Sequence, residues 1–259
     1  MGGTGESGLE GTGVLVLGGS SGLGRCLGTG LARHGATVAF AGRRGTLLDE
    51  AAAEAGNGSF GLVCDATDEG AVGKAVDQVA ERLGALDGLV YAAGIGPLVR
   101  LADATAEIWR RVFDVNVIGA AQVTRAALPH LRRRAGSALY LSSVSASLTA
   151  PWPGLGPYAA SKAALDKLVE AWRVEHPDIG FTRVVVGDCS GGEGESLTQF
   201  ADGWDREAAA DLVTEWYTRK YIAGSLMDVA ELVGTIEAVL RTGASACIQS
   251  VTVAPRPPA

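Results

Sequence analysis

The sequence predicts a single α/β domain in which a seven-stranded parallel sheet carries helices on both faces. Short apolar segments alternate with segments of helical periodicity from Gly13 to about Val253. Most of the apolar segments are continuous, as strands buried on both faces require. The 259 residues, 47% of them hydrophobic, suffice for one substantial core, so no second domain is expected.

The predicted strands are seven short apolar segments: Val14 to Leu17, Thr37 to Ala41, Phe60 to Cys64, Gly88 to Ala92, Ala138 to Leu141, Thr182 to Val186 and Ile248 to Val253. The segments between them predict helices with one buried stripe; in the first of these, Leu23, Leu27 and Leu31 recur every four residues. Right-handed crossovers between such units give a doubly wound, three-layer αβα sheet of the Rossmann type.

Three segments depart from this rhythm. Residues 1–12 are polar and rich in glycine, which predicts a flexible tail before a domain at 13–259. Longer helical stretches are predicted around Thr105 to Arg134 and from about Tyr158 to Glu175. The stretch from Gly187 to Ser225 is too long for an ordinary connection and contains aromatic residues, among them Phe200, Trp204, Trp216 and Tyr217. It predicts a substrate-covering flap at about 188–225, with an extra packed helix pair as the alternative.

Composition narrows the classes of partner. With 22 basic and 29 acidic residues the net charge is -7, so no nucleic-acid partner is expected. No apolar run reaches the roughly 20 residues that span a bilayer, so no membrane partner is expected. The four cysteines form no CxxC motif, which predicts neither a disulfide framework nor a metal site and favours the cytoplasm.

A glycine-rich turn follows the first predicted strand. The sequence GGSSGLG leads directly into the first predicted helix. Glycines in such a turn let the backbone approach a pyrophosphate, whose charge lies against the N–H groups of the helix N-terminus. The turn therefore predicts a dinucleotide site. Its residues are Gly18, Ser20, Ser21, Gly22, Leu23 and Gly24.

The end of the second strand distinguishes the two nicotinamide dinucleotides. An acidic residue there would bind the ribose 2'-hydroxyl, but the chain has Gly42. Arg43 and Arg44 follow, and guanidinium groups match phosphate geometry, so NADP(H) is the predicted cofactor. Asp65, with Ala66 beside it, is placed to bind adenine or, alternatively, to cap a helix.

Three further motifs follow in order: NVIG from Asn116, SSVSA from Ser142 and YAASK from Tyr158 to Lys162. Together with the glycine turn, they resemble the short-chain dehydrogenase/reductase family in its compact form of about 250 residues, over nearly the whole chain. The resemblance implies that Tyr158 is the catalytic acid/base, and that Lys162, Ser143 and Asn116 complete a tetrad. Ser145 remains an alternative to Ser143, and Asn116 could instead end a helix.

The residues themselves support this chemistry. Side chains four residues apart on a helix share a face, so the ammonium of Lys162 is expected near the phenol of Tyr158. A nearby cation favours the phenolate, so we expect the pKa of Tyr158 to be lowered. Tyr158 and Lys162 are also expected to contact the cofactor.

Several family positions differ in this chain. Ala93 and Gly94, after the fourth strand, keep the small residues that pack against adenosine but lack the usual amides. After the sixth strand the chain reads GDCSGG, so Gly187 and Asp188 are expected to replace the usual nicotinamide clamp. Asp188, Glu193 and Glu195 also raise the hypothesis of a cationic substrate, with a solvated loop as the alternative.

These observations predict an NADPH-dependent oxidoreductase acting on a carbonyl/alcohol pair of a small molecule. The alternatives are an NADP(H)-sensing protein of weak activity and a non-redox lyase or epimerase on the same scaffold. The resemblance also implies a homodimer or homotetramer.

Overall fold

The computed structural model describes residues 8–189, 191, 197, 198, 200–222 and 226–256. Within them, seven parallel strands form one sheet in the order β3-β2-β1-β4-β5-β6-β7, which confirms the predicted fold class. The strands are β1 (Gly13–Leu17), β2 (Thr37–Gly42), β3 (Phe60–Val63), β4 (Gly88–Tyr91), β5 (Ser137–Ser143), β6 (Gly180–Val186) and β7 (Ser250–Val253).

Helices connect the strands, and one π-helical turn at Asp114–Ile118 interrupts the longest helical region. The α-helices are α1 (Gly22–Arg33), α2 (Gly45–Ala55), α3 (Glu69–Leu83), α4 (Ala106–Phe113), α5 (Gly119–Arg134), α6 (Val144–Ser147), α7 (Gly156–Glu175), α8 (Arg206–Thr218) and α9 (Val229–Leu240).

Each face of the sheet has its own hydrophobic core. Helices α1, α2 and α9 pack on one face, where Phe40 and Leu27 are fully buried. Helices α3, α5 and α7 pack on the other, around Tyr91, Tyr140 and Phe181. Because strands alternate their side chains between the two faces, continuous apolar segments supply both cores.

The strand order places β1 beside β4, so the connections leave the middle of the sheet in opposite directions. At such a switch point the loops that follow the two strands separate and leave a crevice at the carboxyl ends of the strands. The glycine turn after β1 and the segment after β4 lie at this crevice.

The predicted boundaries need two corrections. The expected tail of 1–12 is too long, because Leu9 is only 2% exposed, packs in the core under α1, α2 and α9, and donates its N–H to His34 O at 2.6 Å. The last strand begins at Ser250 instead of Ile248, whose carbonyl accepts a hydrogen bond from Thr182. A short, mostly polar segment can thus contain one apolar residue that packs in the core.

Membrane-spanning helices and metal-binding groups can be assessed only for the described part of the chain. No helix there has the length and apolar character needed to cross a membrane. No group of three or more His, Cys, Asp or Glu residues lies there in a position to hold a metal ion.

Candidate active site

The glycine turn between β1 and α1 is closely packed. Gly18 has φ +84°, and a Cβ there would lie 2.7 Å from the backbone nitrogen of Ala93. A Cβ on Gly24 would lie 2.3 Å from the carbonyl oxygen of Gly18. Side chains at these positions would force the turn apart, so glycine is needed for the shape of the turn.

The N-terminus of α1 opens towards the crevice. Ser21 occupies the N-cap position, but its side chain makes no hydrogen bond to the first turn of the helix. The hydroxyls of Ser20 and Ser21 instead accept hydrogen bonds from Arg44 Nη2, at 2.6 and 2.8 Å. The first N–H groups of α1 are therefore not satisfied by a serine cap, as suits an anion-binding helix N-terminus.

Cationic side chains flank the end of β2. Arg44 is half-buried, and burial followed by the neighbouring charge of Arg43 lowers its pKa. Gly42 faces open space, because a Cβ there would meet nothing nearer than 3.7 Å. The end of β2 thus offers guanidinium groups and room, and its last residue is Gly42 instead of an acidic residue.

Asp65 lies just after β3. Its Oδ1 accepts hydrogen bonds from Thr67 N at 2.9 Å and Thr67 Oγ1 at 2.8 Å. The backbone hydrogen bond from Thr67 is the largest cause that lowers its pKa, and Arg43 contributes to the same shift. Asp65 therefore closes a local turn beside the crevice, and Asp68, not Asp65, caps α3.

Tyr158 lies in the first turn of α7, opposite the end of β5. Its hydroxyl lies close enough to Ser143, the last residue of β5, for the serine to lower the pKa of Tyr158. Ser143 Oγ also lies 2.9 Å from Ser145 Oγ and accepts the N–H of Ser145 at 3.2 Å. Both candidate serines line the cavity, and Ser143 is the one that acts on the pKa of Tyr158.

Lys162 lies one helical turn after Tyr158 and is only 4% exposed. Its Nζ lies 5.8 Å from the centre of the Tyr158 ring and donates a 2.7 Å hydrogen bond to the carbonyl oxygen of Leu141. Burial lowers the pKa of Lys162 to about 8, and the charge of Asp166 opposes that shift.

The expectation that Lys162 lowers the pKa of Tyr158 is wrong for the protein without cofactor. Burial of the phenol is the dominant cause and raises the pKa of Tyr158 to about 12, while the nearby Ser143 acts to lower it. The spacing along the helix correctly brings the two groups together. The cost of desolvating a phenolate nevertheless exceeds the attraction of the ammonium.

Asn116 lies in the π-helical turn between α4 and α5 and is fully buried. Its side-chain oxygen accepts Ile95 N–H at 2.9 Å, and its amide donates to Ile95 O and to Ser161 Oγ, each at 2.9 Å. A Cβ on Gly94 would lie 3.5 Å from Asn116 Oδ1 and 3.4 Å from Lys162 Nζ. Asn116 therefore fixes the loop after β4 and α7 instead of ending a helix.

One cavity of about 900 Å³ joins these groups. It is lined by every residue predicted to bind the cofactor and by the predicted catalytic residues except Asn116, which lies behind the wall. Its volume lies at the upper end of the range for small-molecule sites, and it extends from Arg44 to Tyr158. The residues present therefore fit a phosphorylated dinucleotide.

The segment after β6 forms another part of the cavity wall. Gly187 N–H donates to Val253 O at 2.8 Å, and Asp188 O accepts Met227 N–H at 2.9 Å. Both residues line the cavity, whereas Glu193 and Glu195 lie outside the described residues. Thr198, which the sequence analysis did not single out, lines the same cavity.

An aromatic cluster covers the cavity near Tyr158, and we call its covering segment, residues 200–218, the flap. Phe200 packs edge-on against the Tyr158 ring at 5.0 Å. Trp204 donates to Gly96 O and Trp216, on α8, to Pro153 O, each at 2.8 Å. The flap therefore packs on the domain through its aromatic residues, and the described part of 188–225 has one helix, α8.

Trp152 and Leu155, which were not predicted as site residues, line the cavity and belong to one hydrophobic cluster with Phe200. They lie in the PWPGLG segment between the serine and tyrosine motifs. Apolar residues placed between two catalytic motifs were the available signal.

Comparison with known proteins agrees with this geometry. Residues 12–193 match the family model described as short chain dehydrogenase. A short chain dehydrogenase of Pseudocercospora fijiensis is 41% identical over 174 residues, covering 64% of this chain and 55% of the relative. The chain spans about half the length of several curated relatives that it matches.

Another relative and a solved structure match a larger share of this chain. Gluconate 5-dehydrogenase of Gluconobacter oxydans is 31% identical over 232 residues, with 87% of this chain and 86% of that protein covered. The solved structure of an alcohol dehydrogenase from Thermococcus sibiricus, complexed with 5-hydroxy-NADP, matches with TM-score 0.77 at 23% identity, covering 93% and 95% of the two chains. The fold, the family model and these relatives together show that the chain belongs to the short-chain dehydrogenase family.

Proposed function

We propose that this protein is an NADP(H)-dependent oxidoreductase that interconverts a carbonyl group and an alcohol on a small-molecule substrate. One observation carries the proposal: the Tyr158 hydroxyl, beside Ser143 and with buried Lys162 one turn away, lies in the same cavity as Arg44. A proton donor and a phosphate-binding group thus share one cavity.

The cofactor would bind along that cavity. The N–H groups at the start of α1 would hold the pyrophosphate, and Arg43 with Arg44 would bind the 2'-phosphate. Bound NADPH supplies a hydride for reduction, and NADP⁺ accepts one in the reverse direction. At the end of β2 the chain has Gly42 and not an acidic residue that would bind the ribose 2'-hydroxyl of NAD(H). This supports NADP(H) as the cofactor.

Tyr158 would act as the general acid in reduction. Because burial raises its pKa to about 12, its hydroxyl is protonated at neutral pH and has a proton to give. The substrate oxygen would receive this proton as negative charge develops on it. Ser143 would donate a hydrogen bond to the same oxygen and so stabilise that charge.

Lys162 would stabilise the phenolate that Tyr158 leaves behind. Its ammonium is held beside the ring by the hydrogen bond to Leu141 O. Asn116 would act as a positioning residue, since it bridges the loop after β4 and the Ser161 hydroxyl of α7. Oxidation would use the same groups in reverse, with Tyr158 as the base.

Replacing Tyr158 by Phe tests the proposal. The variant removes the hydroxyl but keeps the ring that Phe200 contacts, so we expect kcat for carbonyl reduction to fall about 1,000-fold or more. The Kd for NADPH, measured by fluorescence titration, should stay within a few fold. Tyr217→Phe, at an exposed position on α8, is the matched control and should leave both unchanged.

The same experiment separates the competing functions. Full reductase activity in Tyr158→Phe would contradict the proposal. Turnover of a substrate without a change in nicotinamide absorbance would indicate a lyase or epimerase. NADPH binding with no turnover of a broad carbonyl panel by the unaltered protein would indicate a sensor.

We further propose a homodimer or homotetramer in the cytoplasm. The family resemblance supports self-association, and four cysteines without a CxxC motif favour a reducing compartment. Sedimentation equilibrium at micromolar concentration measures the assembly, and a monomeric mass would reject this part.

A further inference from the structure

A buried carboxylate lies behind the catalytic helix. Asp166 is on α7, four residues after Lys162, and is only 5% exposed. Aspartate is seldom buried to this degree without a charged partner, because removing a carboxylate from water is costly. The position therefore needs an explanation that packing alone does not supply.

Two side chains from the sheet approach this carboxylate. Arg183 on β6 reaches Asp166 Oδ2 from Nη1 at 3.4 Å, a long ion pair. Ser142 on β5 lies close enough for its hydroxyl to lower the pKa of Asp166. Even so, neither Ser142 Oγ nor Asp166 Oδ1 has a well-formed hydrogen bond among the described residues. Arg183 and Ser142 thus hold the Asp166 carboxylate in place, but they compensate its negative charge only in part.

Lys162 is on the side of Asp166 that faces the active site. Residues four apart on a helix are neighbours, and both side chains are almost fully buried beside the end of β5. We propose that Asp166 is a positioning residue that keeps the ammonium of Lys162 charged and directed at Leu141 and Tyr158. This proposal rests on the proposed function only for its effect on turnover.

The charges around Lys162 support this assignment. Tyr158 on the same helix is neutral at physiological pH, Asn116 and Ser142 carry no charge, and Arg183 faces Asp166. Among the described residues, Asp166 is the acidic group whose charge acts on Lys162, where it opposes the effect of burial. Without this carboxylate, burial would act on the ammonium unopposed.

The direct test measures Lys162 in the protein without cofactor. The chain has four lysines, so NMR of protein labelled with [13Cε]-lysine gives few signals, and Lys162→Met assigns the relevant one. We expect a pKa of about 8 in the unaltered protein and a value lower by about one unit in Asp166→Asn. Asp166→Glu, which keeps the charge, should restore most of the difference.

Glu170→Gln is the matched control. Glu170 lies one further turn along α7, also near Arg183, but it is exposed and pairs with Lys167. The control should leave the Lys162 titration unchanged. If the Asn variant does not fold, Asp166→Ser removes the same charge and carries the same prediction. An unchanged Lys162 titration in the variant without the charge would overturn the proposal.

The second readout is the pH profile of turnover. In Asp166→Asn, the alkaline limb of kcat should move to lower pH by the same amount, with KM for the carbonyl substrate nearly unchanged. A shifted Lys162 titration without any measurable reductase activity in the unaltered protein would reject the proposed function and leave this electrostatic role intact. An unshifted titration in an active enzyme would reject this role alone.

Discussion

The guanidinium of Arg44 donates a 2.6 Å hydrogen bond to the hydroxyl of Ser20, and so joins the end of β2 to the glycine turn after β1. A second bond from the same nitrogen reaches Ser21. The cation that would bind a 2'-phosphate is therefore oriented before any ligand arrives. Pre-orientation lowers the entropic cost of binding, because one flexible side chain is already ordered.

Arg44→Ala should weaken NADPH binding selectively. Losing charge-assisted hydrogen bonds to a phosphate is expected to raise the Kd for NADPH by about 10- to 100-fold. The Kd for NADH, which lacks the 2'-phosphate, should change much less. Parallel fluorescence titrations with both cofactors give the two constants, and equal losses for both would contradict the assignment.

Gly42→Asp should reverse the cofactor preference. A Cβ at this position meets no atom nearer than 3.7 Å, so the carboxylate can be accommodated. It would bind the ribose hydroxyls of NADH and repel the 2'-phosphate of NADPH. We expect the ratio of kcat/KM for NADPH to that for NADH to fall by at least about tenfold, corresponding to about 1.4 kcal/mol. Gly42→Asn, which adds similar volume without charge, separates repulsion from crowding.

The repetition of βα units predicted the fold because local periodicity decides which face of each element is buried. It could not show the Arg44–Ser20 bond, which joins residues 24 positions apart. Nor could spacing along the helix give the pKa of Tyr158, since burial depends on the whole cavity. Leu9 was missed for the same reason: its partner His34 lies far along the chain.

Ser143→Ala and Ser145→Ala should have unequal effects. Ser143 is the serine that lies beside the Tyr158 hydroxyl and lowers its pKa, so its removal should lower kcat about 100-fold through the loss of one donor to the developing charge. Ser145, only 8% exposed, contacts Ser143 and should lower kcat much less. Steady-state kinetics of both variants decide the matter, and a larger loss in Ser145→Ala would exchange the roles of the two serines.

Lys162→Met should change the pH dependence of stability. The pKa of Lys162 is about 8 in the folded protein, below its ordinary value of 10.5, so the unfolded chain binds more protons between these values. Lys162 therefore makes the free energy of unfolding rise with pH from about 8 towards 10, by up to about 3 kcal/mol.

The Met variant lacks this rising component. Urea unfolding at pH 7, 8, 9 and 9.5 measures the difference between the two proteins, in which other titrating groups largely cancel. The range ends at 9.5 because the raised pKa of Tyr158 acts in the opposite direction, and only above about 10. If the free energy of unfolding depends on pH in the same way in the two proteins, burial does not lower the pKa of Lys162.

Phe200→Ala should open the flap over Tyr158. The edge-to-face contact of the two rings contributes about 1 kcal/mol beyond burial, and it holds the flap at the substrate end of the cavity. Its loss should raise KM for apolar ketones several fold and admit water beside Tyr158, which lowers kcat. Tyr217→Ala, an exposed aromatic residue on the same flap, is the matched control and should behave as the unaltered protein. Since both variants keep the glycine turn and Arg44, NADPH binding should be equal in the two. If the flap serves only packing, Phe200→Ala will lower the melting temperature without changing KM.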